Sequence, residues 1–170
     1  MQEKRLKKLA QRMESLAEKD ERLVQRALNI EQQRCQAAQE LHLLCASFVA
    51  EMNNRLDKTK IELAPPEFPP NFFHLSGLNL FQLNIRGRIV QFEFKPTEEL
   101  VSTENFRVPY TLEGTIRCFN QELLDRSAIV EHQLFYCVAK RSAWRYFDTR
   151  TYRTGVCDAN YLLSLLEALV

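Results

Sequence analysis

Between Arg5 and Phe48 the apolar residues recur at alternating spacings of three and four, through Leu6, Leu9, Met13, Leu16, Leu23, Ala27 and Ile30 and on to Ala37, Leu41 and Leu44. That period lays them along one stripe of an α-helix. With Leu6 at heptad position a, the d positions are Leu9, Leu16, Leu23, Ile30, Ala37 and Leu44, all apolar. The a positions are Leu6, Met13, Asp20, Ala27, Arg34, Leu41 and Phe48. This is the pattern of a coiled coil, interrupted at Asp20 and Arg34 by charge. Small or apolar residues at e (Ala10, Ala17, Val24, Ala38, Cys45) widen the stripe beyond a simple two-stranded seam. Met1 to Ala64 contains neither Gly nor Pro, so the spacing predicts one long coiled-coil helix over residues 1–64, forming a domain of its own.

Pro65, Pro66, Pro69 and Pro70 then remove backbone donors and hold the chain extended, which predicts a proline-rich hinge over 65–74. Beyond it the period drops to two. Leu83 and Ile85 alternate with Gln82, Asn84 and Arg86, and after Gly87 Val90, Phe92 and Phe94 alternate with Gln91, Glu93 and Lys95. Further strands are predicted around 110–119, 130–138 and 144–148. Short strands at hairpin distances make an antiparallel meander, whose apolar face needs a cover. "DANYLLSLLEALV" supplies one, with Asp158 as N-cap and Leu162, Leu165, Leu166 and Leu169 as the buried stripe. The fold class expected is α+β: a long N-terminal coiled-coil helix, then a head at 75–170 built from a β-meander under a C-terminal helix.

The charged seam positions constrain what the helix can pair with. A parallel homodimer sets Asp20 against Asp20 and Arg34 against Arg34, and like charges facing each other in a partly buried layer are destabilising. An antiparallel pair can match Leu9 with Phe48, Met13 with Leu44, Leu16 with Leu41 and Ala27 with Ile30, bringing Asp20 of one chain near Arg34 of the other. The expected interface is therefore Leu9, Met13, Leu16, Asp20, Leu23, Ala27, Ile30, Arg34, Leu41, Leu44 and Phe48. Its partner is either a second copy of the chain or helices of a larger heteromeric complex.

Composition adds little pull toward any particular ligand. The chain of 170 residues has a formal charge of +1, which gives no global attraction to nucleic acid or acidic membrane. No apolar run approaches a membrane span and the charged start lacks a signal-type core, so a cytoplasmic address is expected, with a nuclear one left open. The five cysteines include no C-x-x-C and read as buried thiols. None of the four glycines belongs to a phosphate-cradling pattern, and the three histidines show no metal spacing, so neither cofactor nor metal is expected. Cys137, His132, Glu131 and Asp148 could be gathered into a catalytic group. However, His132 alternates in phase with Val130, Leu134 and Tyr136, whereas Glu131 and Cys137 share the opposite face. His132 therefore reads as a sheet-face histidine with a local hydrogen bond.

One segment could make a charged recognition surface. "KRSAWRYFDTRTYRTG" carries Lys140, Arg141, Arg145, Arg150 and Arg153 among Trp144, Tyr146, Phe147 and Tyr152. Arginines beside exposed aromatics suit single-stranded nucleic acid or an acidic partner. Buried aromatics would leave the arginines as a solvated face. The function expected is that of a non-catalytic assembly or adaptor subunit, docking through its helix and presenting the head. The alternative is a nucleic-acid-binding accessory protein using residues 140–153.

Overall fold

The computed structural model describes residues 2–101, 109–126, 129–138 and 141–170. In chain order the elements are α1 (Gln2–Asn53), β1 (Glu62–Ala64), a single 3-10 turn (Pro70–Phe72), β2 (Asn79–Ile85), β3 (Arg88–Val101), β4 (Tyr110–Phe119), α2 (Gln121–Asp125), β5 (Val130–Cys137), β6 (Ala143–Asp148), β7 (Arg153–Val156) and α3 (Ala159–Glu167). The strands form one seven-stranded sheet in strict chain order. Every neighbouring pair is antiparallel. The architecture is the expected α+β meander, with β1 and β7 added at its edges. The chain divides into two compact units, Met1–Gln33 and Arg34–Val170.

In the second unit the meander turns tightly where the sequence demands it. Arg86 and Gly87 both have positive φ, 50° and 86°, and the Asn84 side chain accepts a hydrogen bond from the Gly87 N–H. That is the two-residue hairpin loop whose twist matches the flanking strands. Phe81, Leu83, Val90, Phe92, Phe94, Leu112, Ile116, Cys118, Leu134 and Tyr136 alternate onto one face and are almost fully buried. Two helical segments cover that face. Ala37, Ala38, Leu41, Cys45, Phe48 and Val49 of α1 and Tyr161, Leu162, Leu165 and Leu166 of α3 belong to the same core. The Asp158 carboxylate caps α3 by accepting from the Tyr161 N–H. The opposite face carries Gln91, Glu93, Glu113 and the Arg117–Glu131 ion pair of 2.7 Å, which water can solvate.

Three sequence expectations are corrected here. The helix ends at Asn53, well before the prolines, and residues 62–64 form a strand. Asn53 makes the break: its side-chain amide donates to Ile61 O at 3.0 Å and accepts from Ile61 N at 2.8 Å, so the chain folds back and buries Ile61. The boundary between units falls at Gln33/Arg34 and not at the prolines, because the apolar side of α1 after Arg34 is core of the head. The proline-rich stretch is not a free hinge. Phe73 is buried, Phe68 packs against Phe81 with ring centroids 4.8 Å apart, and the His42 Nε2–H donates to Pro65 O at 2.8 Å. A segment with one buried and one half-buried aromatic and few backbone donors is tied down by its packing and by the His42 hydrogen bond.

The expected antiparallel pairing is corrected as well. Leu41 is fully buried and Phe48 nearly so, both against the sheet, so neither is available to face Leu16 or Leu9 of another chain. Arg34 is likewise engaged. Its Nε donates to Thr111 O at 3.1 Å, and its Nη2 donates to Thr97 O and, at 3.3 Å, to Thr97 Oγ1. Those carbonyls lie where the β3–β4 ladder shifts register between Pro96 and Val101, a place where strand pairing leaves acceptors to be satisfied otherwise. The charged seam position at 34 thus serves the head's own backbone.

Candidate functional site

Of the eleven seam residues expected to form an interface, Leu9, Met13, Leu16, Asp20, Leu23, Ala27 and Ile30 lie in the first unit and are exposed. Arg34, Leu41, Leu44 and Phe48 lie in the second, where Leu41 and Phe48 are buried and Leu44 packs half-buried against the core. The exposed apolar set is larger than the a and d frame alone. Leu6, Leu9, Met13, Leu16, Leu23, Val24, Leu28 and Ile30 each retain between 41% and 62% of their accessible surface. They form a stripe over positions a, d and e that Leu28 extends to b. On its d side the stripe is bordered by g positions that are all basic: Arg5, Arg12, Lys19 and Arg26. Its other side is formed by the e positions themselves, Ala10, Ala17, Val24 and Glu31. About half of each side chain is accessible, so the stripe is a run of apolar surface in the first unit left without cover.

The basic and aromatic segment resolves differently. Lys140 lies outside the described residues. Arg141, Arg150 and Arg153 are exposed and Arg145 is half-buried. The aromatics between them turn inward. Trp144 is buried, its indole N–H donating to Ala37 O at 2.7 Å. Phe147 is buried beside Tyr110, Phe135 and Cys137, and Tyr146 stacks face to face on Tyr161 at 3.9 Å. Tyr152, at φ 57° in the β6–β7 turn, is exposed. Stacking platforms for bases therefore amount to one ring among the described residues of the segment, and its arginines are the solvated edge of a packed strand.

His132 finds partners that the alternation of β5 did not reveal. Its Nδ1 lies 2.6 Å from the Tyr161 hydroxyl of α3, and its Nε2 lies 3.6 Å from Asp148 Oδ2 at the end of β6. Burial lowers the His132 pKa; the Asp148 carboxylate opposes the shift and Arg150 adds to it. Burial also works to raise the Asp148 pKa. The Arg150 N–H and Thr151 hydroxyl that bond the carboxylate, with the charges of His132 and Arg150, outweigh it and hold the pKa below the ordinary carboxylate value. Burial drives the Tyr161 phenol strongly upward. A neutral imidazole satisfies all three, with Tyr161 O–H donating to Nδ1 and the Nε2–H turned toward Asp148. Glu131 is paired with Arg117 on the other face, and Cys137 is buried there, its thiol pushed up to about 11. Of the four residues gathered from the sequence, His132 and Asp148 meet and Glu131 and Cys137 do not join them. Tyr161, which completes the cluster, sits in the sequence only as one aromatic beside an N-cap, and register alone could not bring it to His132.

The thiols are quiet. All five cysteines are free, and burial pushes Cys45 and Cys118 up to about 12. Thiols so held are poor nucleophiles. Among the described residues no three His, Cys, Asp or Glu side chains come together as metal ligands, and no helix is long and apolar enough to cross a membrane. Comparison with known protein families, with characterised proteins and with solved structures finds no match to this chain.

Proposed function

We propose that this protein is a non-catalytic assembly or adaptor subunit that docks through helix residues 2–33 and carries the α+β head as its second, independently cored part. The observation that supports the reading is the uncovered stripe from Leu6 to Ile30. Leaving eight large apolar side chains in water forgoes on the order of 1 kcal/mol or more for each, and a helix draws most of its stability from the packing of such a face. Cover by other helices removes both deficits. The head contributes the other half of the design: its core is completed by α1 from Arg34 onward, so it is stable without help from the docking residues.

The test compares the native size of the wild-type chain in gently lysed source cells with that of Leu9→Glu/Leu16→Glu/Leu23→Glu. Gel filtration should place the wild type well above the 20.0 kDa of the chain and the triple variant at monomer size, with the head's thermal transition unchanged. Co-elution of the two at the same large size would refute docking through the stripe, and so would a wild type that runs as a monomer in its own cells.

A further inference from the structure

The charges beside the stripe select the kind of partner. In a parallel self-pair, Asp20 faces Asp20 and the basic g edge reaches toward Ala10, Ala17, Val24 and Glu31, which offers one complementary pair. With Leu41 and Phe48 spent in the head, an antiparallel self-pair must be built within residues 6–30. That register sets Leu6 against Ile30, Leu9 against Ala27, Met13 against Leu23 and Leu16 against Asp20. It also turns the g edge of each helix toward the g edge of the other, so Arg12 meets Arg26 and Lys19 meets its own copy. Both self-arrangements set like charges side by side and leave Asp20 without a cation, since Arg34 is occupied by the Thr97 and Thr111 carbonyls. The width of the stripe, three positions and not two, also asks for more cover than one copy of a narrow seam supplies.

We propose that the stripe is covered by a helical segment of a different chain. That segment is apolar along its seam, acidic along the edge facing Arg5, Arg12, Lys19 and Arg26, and basic at the position facing Asp20. The inference rests on the assembly reading above and names its partner class. Edge pairs of this sort set partner choice more than affinity, because each is exposed and screened by salt. Four of them acting together discriminate by about tenfold or more between opposite-signed partners.

The test uses the full chain and two synthetic four-heptad peptides. Both have leucine at a and d except for one lysine set to face Asp20; one has glutamate and the other lysine at every e and g position. Neither peptide pairs well with itself, since its own edges repel. Calorimetric titration at about 50 mM salt should show the glutamate-edged peptide binding at least about tenfold tighter, with the gap closing at about 500 mM as the Debye length shrinks to a few ångströms. Arg5→Glu/Arg12→Glu/Lys19→Glu/Arg26→Glu should reverse the preference. Equal affinities, a preference untouched by the reversal, or a lone chain that sediments as a stable dimer at micromolar concentration would overturn the proposal. Binding to phosphatidylserine vesicles with neglect of both peptides would overturn it too and assign the stripe to a lipid surface. If the triple seam variant loses native assembly while the charge-reversed variant keeps its partners, the partner class falls and the docking role stands.

Discussion

Leu16 and Leu41 occupy the same heptad frame, at d and a, yet 59% of Leu16 is accessible while Leu41 is fully enclosed by the sheet. Truncating each to alanine therefore measures where the head begins. Leu41→Ala removes a buried side chain that touches the core shared by α1, β2 to β6 and α3, and the rigid sheet can collapse onto the gap only in part. The cost is about 2–5 kcal/mol, a large share of the roughly 5–15 kcal/mol that stabilises a domain. Leu16→Ala removes a side chain already in water and gains slightly in helix propensity, so stability at low concentration should change by less than about 0.5 kcal/mol. Trp144, the chain's single tryptophan, sits in this core and reports its unfolding by fluorescence. In urea the Leu41 variant should lose more than about 1 M in midpoint at unchanged slope, and the Leu16 variant almost nothing. Raising the protein concentration with a bound partner present should expose a cost for Leu16→Ala alone, because only there is its side chain covered. Equal midpoints for the two variants, or a Leu41→Ala loss under about 1 kcal/mol, would refute the division at Arg34.

Fragment boundaries and pH give two further checks. A fragment of residues 34–170 should unfold cooperatively and as a monomer, whereas 65–170, stripped of Ala37, Leu41, Phe48 and Val49, should expose Phe81 and Phe94 and aggregate; a cooperative transition in the shorter fragment would show that α1 is dispensable to the core. His132 has a lowered pKa in the fold, so the folded state favours the neutral ring: its contribution is intact above the unfolded-state value of about 6.5 and is lost as pH falls below it. Asp148 is depressed, and its contribution is lost only in the lower window below about pH 4. Urea midpoints across pH should show the upper step vanish in His132→Gln and the lower step persist; an unchanged upper step would assign it elsewhere.

The sheet was legible because a half-buried strand writes its environment into alternate residues. Val90, Phe92 and Phe94 against Gln91, Glu93 and Lys95 admit one reading, and the buried row in β3 agrees with it. The α3 cap and stripe were equally local. The short edge strands β1 and β7 were missed because three or four residues hold too little alternation to register, and β1 owes its place to the Asn53–Ile61 clasp, a contact between residues that no periodicity connects. The His132–Tyr161–Asp148 cluster joins β5, α3 and β6 in space alone. The segment at 140–153 misled for a related reason: aromatic spacing is the same whether a strand shows its rings to a ligand or to its own core.

The helix shows what a heptad pattern does and does not record. It registers which side of a helix is to be covered and is indifferent to whether a sheet or another helix provides the cover. What separates the two regimes in this chain is charge density. Residues 2–33 hold 14 charged side chains in 32 positions, enough to solvate every side but the stripe, whereas residues 35–53 hold only Glu40 and Glu51. A helix facing a broad sheet is enclosed over a wide arc and can keep few charges. Accordingly the buried set there, Ala37, Ala38, Leu41, His42, Cys45, Phe48 and Val49, spreads across d, e, a and b. The paired alanines at its start are fully enclosed, and the Trp144 indole N–H donates to the Ala37 carbonyl beside them. The same arithmetic argues the role of the first unit. A stripe kept apolar from Leu6 to Ile30, but for Asp20, inside such dense charge is bounded, and a bounded seam with a basic border along Arg5, Arg12, Lys19 and Arg26 suits a helix of complementary charge better than the broad face of a sheet.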